Sequence, residues 1–264
     1  MADLLESIDS RGVATLTLNR PDRRNALDGP LVDALRKSLV RLDARTDVRV
    51  VVIAASGEVF CAGADIEWMK RLAGDTQERN ELDSLALAEM LRALDLLSKP
   101  TIALVQGAVY GGGVGLLACC DVALASEDAR FCLSEVRLGV VPGIIGPFVV
   151  RSIGLRQARR FALTAELIFA DKALEIGLVH EVCRETNLQS ACESVIETML
   201  RAAPGAQAEA KLLMARFYAS PIDDTLMKEA ANRLALRRAS DEGREGLSAF
   251  LEGRPPVWLD PRTI

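Results

Sequence analysis

Strand-like and helix-like segments alternate between residues 13 and 182 and give way to helices alone beyond residue 187, which predicts an α/β fold with a helical C-terminal region. Two local features point the same way. The β-branched run from Val48 to Ala54 has the composition of a strand covered on both faces, as in a parallel sheet flanked by helices. The segment Tyr110-Gly-Gly-Gly-Val-Gly115 follows the apolar run Thr101–Val105 and precedes the helix-like Leu116-Leu-Ala-Cys-Cys120, so glycine makes the turn from strand to helix.

Taken in order, Val13–Leu18 alternates as a strand does and is closed by the turn residues Asn19-Arg-Pro-Asp22. Asp28-Gly-Pro30 opens a helix, with Pro30 in its first turn and Leu31, Leu35, Leu39 and Leu42 on one face. Helical spacing of Leu82, Leu85, Met90, Leu94 and Leu97 predicts a helix over 77–98 that ends before Pro100. Further strands are expected at Thr101–Val105, Val122–Ala125 and Arg130–Leu133, with a helix at Gly113–Cys120 between the first two. Short helices around 145–153, 156–163 and 171–176 lead to a strand at Val179–Val182. Residues 188–202, 205–218, 222–241 and 242–252 then read as amphipathic helices. The division is a core over 1–187 and a helical region over 188–264, marked by a shift in composition and not by a linker.

With 264 residues, 50% of them apolar and 26% charged, the composition is that of an ordinary globular protein. The net charge of −5 argues against a nucleic-acid or membrane-surface partner, since both attract a basic field. No apolar stretch is long enough to span a bilayer, and Met1-Ala-Asp-Leu-Leu-Glu has no signal-like character, so a cytoplasmic protein is expected. Cysteines 61, 119, 120, 132, 183 and 192 lie mostly in apolar segments without a C-x-x-C pair, which fits buried small hydrophobes and no metal site. His180 is the only histidine, and it sits in a strand-like segment where a Ser-His-Asp mechanism has no support.

The glycine turn is where chemistry is expected. Glycines let the backbone approach a bound group, while unpaired N–H groups and the positive end of the following helix face the turn. Such a place suits a developing oxyanion. Phe60-Cys-Ala-Gly-Ala-Asp-Ile66 has similar character. A dinucleotide fingerprint fits poorly, because Leu116 stands where its third glycine belongs and the turn lies mid-chain. Glu135, in the mostly apolar stretch Phe131–Leu138, is placed to have its charged form disfavoured, as a proton-transfer group requires. Pairing with Arg137 at a strand end is the plainer alternative.

These segments, together with Asn19–Leu27, Pro142-Gly143 and Glu245–Glu252, resemble the enoyl-CoA hydratase/isomerase (crotonase) superfamily over nearly the whole chain. The resemblance implies a spiral of ββα turns with a C-terminal trimerisation region, a homotrimer or a hexamer of paired trimers, and a coenzyme A thioester as substrate with no resident cofactor. It maps the two oxyanion donors onto the N–H groups of Ala64 and Gly112, and the proton donor and acceptor at carbon 2 onto Glu135. It places Arg23 and Arg24 near the CoA phosphates or adenine, although a solvated turn explains them as well. Ala62, Ala64, Asp65, Ile66 and Gly112 follow along the CoA path. Phe250 belongs to a Phe-x-x-Lys contact from a neighbouring subunit, but here Gly253 replaces the lysine and Arg254 follows it.

The main departure is Gly115, where most hydratases of the family carry a second catalytic glutamate. Ile144, Ile145, Pro147 and Phe148 likewise replace a polar stretch after Pro142-Gly143. This wording resembles hydratases of 3-branched glutaconyl-CoA esters, of the 3-methylglutaconyl or isohexenylglutaconyl type, in leucine or acyclic terpene breakdown. A Δ3,Δ2-enoyl-CoA isomerase with one glutamate is the second reading, and a non-catalytic acyl-CoA-binding member of the fold the third.

Overall fold

The computed structural model describes residues 2–259; Met1 and residues 260–264, at the outer ends of the two expected regions, lie outside the described residues. The chain runs β1 (Leu4–Ile8), β2 (Val13–Leu18), α1 (Gly29–Asp43), β3 (Val50–Ala55), α2 (Ile66–Ala73), α3 (Gln77–Asp95), β4 (Thr101–Val105), β5 (Ala108–Tyr110) and α4 (Gly112–Ala118). It continues with β6 (Val122–Ser126), β7 (Arg130–Cys132), α5 (Gly146–Thr164), β8 (Ile168–Phe169), α6 (Ala170–Glu175) and β9 (Glu181–Cys183). Four helices close it: α7 (Glu185–Arg201), α8 (Pro204–Tyr218), α9 (Asp224–Ala239) and α10 (Asp241–Glu252).

Six strands form the main sheet in the order β1-β2-β3-β4-β6-β9, parallel except for the antiparallel β1–β2 pair. Period-2 alternation sorts its side chains between two apolar layers. Ala14, Leu16, Leu18, Val51, Ile53, Ala103, Val105, Ala123 and Ala125 face α1, α3, α4 and α5. Val13, Val50, Val52, Ile102 and Leu124 face the other way, against Leu188, Cys192, Ile196 and Leu200 of α7. Both faces are therefore covered, which is why β3 reads as an unbroken apolar run.

A second sheet of three strands has the order β5-β7-β8. It carries the parallel pairing of Ala108, Val109 and Tyr110 with Arg130, Phe131 and Cys132, which positions the site described below.

Most expected elements are present, with shifted ends. Expected helices around 145–153 and 156–163 form one element, α5, broken where Gly154 takes φ 74°, ψ 156°. Regular pairing of β9 starts at Glu181 and not at Val179. The His180 ring explains the shift, because its Nδ1 accepts from the Ala123 N–H (3.0 Å) where a strand carbonyl would otherwise do so. His180 also donates its own N–H to the Ala123 carbonyl (2.8 Å), so the histidine is part of a sheet edge. All six cysteines are free thiols, four of them buried. Among the described residues no helix is long and apolar enough to cross a membrane.

Candidate active site

Three backbone pairings bring the chemistry-bearing segments together. Cys61 pairs with Val109: its N–H donates to the Ala108 carbonyl (3.3 Å) and its carbonyl accepts from the Tyr110 N–H (2.9 Å). Beyond it Gly63 closes on the Tyr110 carbonyl, and Leu27, bridged to Ala64, also packs on Gly112, so Ala64 and Gly112 share a neighbour. The β5–β7 register likewise matches Tyr110 with Cys132, and the Gly111 N–H extends it by donating to the Cys132 carbonyl (3.0 Å). Ser134 and Glu135 therefore emerge beside Gly111. The third pairing joins Leu27 to Ala64.

Leu27 grips both peptide groups that flank Ala64. Its N–H donates to the Gly63 carbonyl and its carbonyl accepts from the Asp65 N–H, each at 2.7 Å. In a parallel bridge of this kind the partner residue turns its own N–H to the opposite side. That side faces β5 and α4. Among the described residues the Ala64 N–H donates to no backbone carbonyl, and neither does the Gly112 N–H, at the first turn of α4.

The glycines are there because side chains would collide. Gly111 has φ +46°, a conformation that side chains rarely adopt, and a Cβ on it would stand 3.2 Å from the Glu135 Oε1. A Cβ on Gly112 would stand 2.9 Å from Leu27 Cδ1, and one on Gly113 2.8 Å from the Cys61 carbonyl oxygen. Gly63, at φ +89°, approaches the Tyr110 carbonyl in the same way.

Glu135 begins a short 3-10 turn, Glu135–Leu138, and does not end a strand as the expected Arg130–Leu133 extension would have it. Its Oε2 is buried without a hydrogen-bond partner, and no ion pair forms with Arg137. Burial pushes its pKa above the ordinary glutamate value, only partly opposed by a hydrogen bond from its own backbone. A carboxyl that is desolvated, unpaired and set against a glycine turn is equipped to move a proton.

Gly115 does not open onto free space. The direction its side chain would take is filled by Ile145, whose Cγ2 stands 2.5 Å from the Cβ position, with Leu91 Cδ1 at 3.2 Å. Ile145 is buried against the core, so the apolar residue after Pro142-Gly143 occupies the space beside Gly115.

The residues expected along the CoA path are distributed unevenly. The Ala62 N–H donates to the carbonyl of Arg24 (3.0 Å), which sits in the left-handed region at φ 52°. Arg23 is exposed and pairs with Asp65 (3.1 Å). The Asp65 carboxylate is buried and caps α2, accepting from the N–H groups of Glu67 (2.9 Å) and Trp68 (3.3 Å). Burial works to raise its pKa, but hydrogen bonds from Arg23, Trp68 and Glu67 and the charge of Arg20 bring it below the usual carboxylate value. Ile66 is exposed, Trp68 is buried in the core, and Phe250 projects from α10, 82% exposed. Arg254 is engaged by Glu245 and Glu252, each at 2.7 Å.

Sequence reasoning missed Arg20, Asn25 and Leu27, because Asn19–Asp22 reads as a plain turn. The available signal was an arginine between two strands with aspartates at 28 and 65 to pair with.

A family model described as enoyl-CoA hydratase/isomerase matches residues 9–261. The 2,3-dehydroadipyl-CoA hydratase of Escherichia coli K12 is 34% identical over 259 residues, covering 97% of this chain and 98% of its own length. The short-chain-enoyl-CoA hydratase of Clostridium acetobutylicum is 33% identical over 244 residues, 92% of each chain. Among solved structures, an enoyl-CoA hydratase from Shewanella pealeana matches with a TM-score of 0.95 at 39% identity, over 97% of this chain and 96% of that one. With the family model spanning the α/β core and the C-terminal helices alike, the chain belongs to the enoyl-CoA hydratase/isomerase family, has the crotonase fold, and is an enzyme of the hydro-lyase type.

Proposed function

We propose that this enzyme hydrates the 2,3 double bond of a branched enoyl-CoA whose acyl group carries a second carboxylate, of the 3-methylglutaconyl or isohexenylglutaconyl type. One observation supports the reading: half-buried Glu135 beside Gly111 has an Oε2 that is shielded from solvent and, among the described residues, without a hydrogen-bond partner, while Ile145 fills the place beside Gly115. The carboxylate of Glu135 takes a proton from water as the water oxygen adds to carbon 3. The electron pair of the double bond moves toward the thioester, whose oxygen becomes an enolate oxygen held by the N–H groups of Ala64 and Gly112. Glu135 then returns the proton to carbon 2, so that H and OH are added and the enzyme is unchanged. Two fixed donors aimed at the developing charge are worth more here than in water, because they need no reorganisation.

Two considerations support the substrate class. Apolar side chains at Ile144 and Ile145 suit a branched acyl group. The Escherichia coli relative is named for 2,3-dehydroadipyl-CoA, an acyl group with a distal carboxylate. Arg23, Arg24, Ala62, Asp65 and Ile66 then follow the CoA moiety, and Phe250 reaches it from a neighbouring subunit of a trimer or hexamer.

A substrate panel tests the reading. Branched glutaconyl-CoA esters are expected to be hydrated with higher kcat/KM than crotonyl-CoA; a preference for linear crotonyl-CoA refutes the branched assignment. Conversion of a 3-enoyl-CoA to the 2-enoyl isomer without hydration would favour the second reading, in which Glu135 alone carries a proton from carbon 2 to carbon 4.

A further inference from the structure

Arg20 lies outside the reacting groups, yet it is the most heavily engaged side chain behind the Ala64 N–H. Its side chain is 6% exposed, and its guanidinium reaches four groups on three segments. Nη1 donates to the Ala26 carbonyl (2.7 Å). Nη2 is shared between Asp28 (2.9 Å) and Asp65 (3.1 Å), and Nε faces Asp3 at 3.5 Å. Asp28 and Asp65 are the N-caps of α1 and α2, accepting from Leu31 and from Glu67 and Trp68. One cation therefore ties together the starts of two helices, on either side of the Leu27–Ala64 pairing.

The loop between them is fixed with equal care. Asn25, fully buried at φ 53°, accepts from the Arg20 N–H (2.8 Å) and donates to the carbonyls of Ser56 (2.8 Å) and Val59 (2.7 Å). Leu27 then holds the two peptide groups around Ala64 and also packs on Gly112. The orientation of the Ala64 N–H relative to Gly112 is thus set by the loop, and the loop by Arg20.

We infer that Arg20 is a positioning residue of the oxyanion site: by bridging the caps of α1 and α2 it fixes the Leu27–Ala64 pairing and aims the Ala64 N–H at the thioester oxygen. The inference rests on the reading that Ala64 and Gly112 hold that oxygen. Arg20 itself is no phosphate ligand, since its nitrogens are already taken up and buried, in contrast to the exposed Arg23. A buried ion pair can often be replaced as a whole by neutral groups without loss of stability, whereas removing one partner alone strands the other, so the test must neutralise both sides.

The test uses two variants of the full-length enzyme. Arg20→Lys keeps the charge with fewer donors. Arg20→Met combined with Asp28→Asn removes the cation without stranding a carboxylate, because asparagine remains a good N-cap and Asp65 keeps Arg23. The readouts are kcat and KM on an enoyl-CoA ester, and the red shift of an aryl-conjugated enoyl-CoA on binding, which reports polarisation of the thioester carbonyl and needs no turnover. Removing an oxyanion donor costs about 10²–10³ in kcat, so misaiming one is expected to cost about tenfold. The double variant should show that loss with KM within about threefold of wild type and a smaller red shift, and Arg20→Lys should recover part of both. Folded variants with wild-type kcat and wild-type red shift overturn the inference. A wild-type enzyme that binds the aryl ester with no red shift overturns the oxyanion reading itself, and this inference with it.

Discussion

Glu135 owes its chemistry to being left alone. The residue is half-buried, its Oε2 is shielded and without a partner among the described residues, and desolvation pushes it above the ordinary glutamate pKa. Glu135→Gln preserves shape and removes the proton carrier, so hydration should fall by about 10²–10⁴-fold while the fold is kept. Full activity in that variant would place the acid–base group elsewhere. The same shift has a consequence for stability. Between the ordinary value of 4.5 and its raised value, Glu135 is protonated in the folded chain and ionised in the unfolded one, so folding takes up a proton. Stability therefore falls as pH rises through that window. Relative to wild type, Glu135→Gln should gain thermal stability as pH rises from 4 to 8, and a margin that shrinks over that range would contradict the assignment. The thiols behave in the same way. Burial pushes the fully buried Cys61 up to about 12, so it should not be alkylated by iodoacetamide at pH 8 until the chain unfolds, whereas Cys120 is only half-buried. Labelling of Cys61 in the native enzyme would show that its segment opens.

At the scale of elements, the glycine helix α4 and the segment before α5 are fitted to one another. A Cβ at position 115 would stand 2.5 Å from Cγ2 and 3.1 Å from Cβ of Ile145. Isoleucine is branched at that carbon and stiff about χ1, so it cannot swing aside cheaply. Gly115→Ala gains up to about 1 kcal/mol of helix propensity but should lose about 1–3 kcal/mol to overpacking. The net destabilisation should lower the melting midpoint by a few degrees, at about 2–4 °C per kcal/mol. Adding Ile145→Ala should recover part of it; strict additivity of the two changes would show that they do not touch. Gly115→Glu alone meets the same obstacle, so a second carboxylate needs both positions changed.

This is also where the sequence stopped being legible. Periodicity placed α1 and α7 because each buries an apolar stripe, and α3 by its buried C-terminal half, whereas α8 and α9 were legible from their helix-favouring composition. Glycine spacing located the strand-to-helix turn between β5 and α4. Nothing in the sequence said that Ile145 lies beside Gly115, since the two meet only through packing. The edge strand β1, with half-exposed ends and an exposed middle, and the three-residue β5 carry too little pattern to be seen. Arg20 escaped for a similar reason, its role lying in partners eight and forty-five residues away.

At the scale of the whole molecule, the last three helices bury little against the rest of the chain. Helix α8 buries no residue, α9 only Leu226 and α10 only Ala249. Met214, Tyr218, Leu234, Leu236, Phe250 and Leu251 are exposed instead, between 51% and 82% for the residues from Leu234 onward. Large exposed apolar patches on a protein surface commonly mark an interaction face. Helix α7, by contrast, packs on the main sheet, so the unpartnered faces begin with α8. Covering them with copies of the same chain would account for both facts, and the proposal is the trimer, able to pair into a hexamer, that the resemblance implies. Sedimentation at micromolar concentration should accordingly show a species of three or six chains. Leu236→Glu, which sets a charge in the exposed stripe of α9, should shift it toward the monomer. If Phe250 completes the CoA site of a neighbour, dilution below the assembly threshold should raise KM for the acyl-CoA before kcat changes, because Glu135 and the two N–H groups all belong to one chain. A stable monomer with unchanged KM would mean that each subunit binds CoA unaided and that the apolar faces serve another purpose.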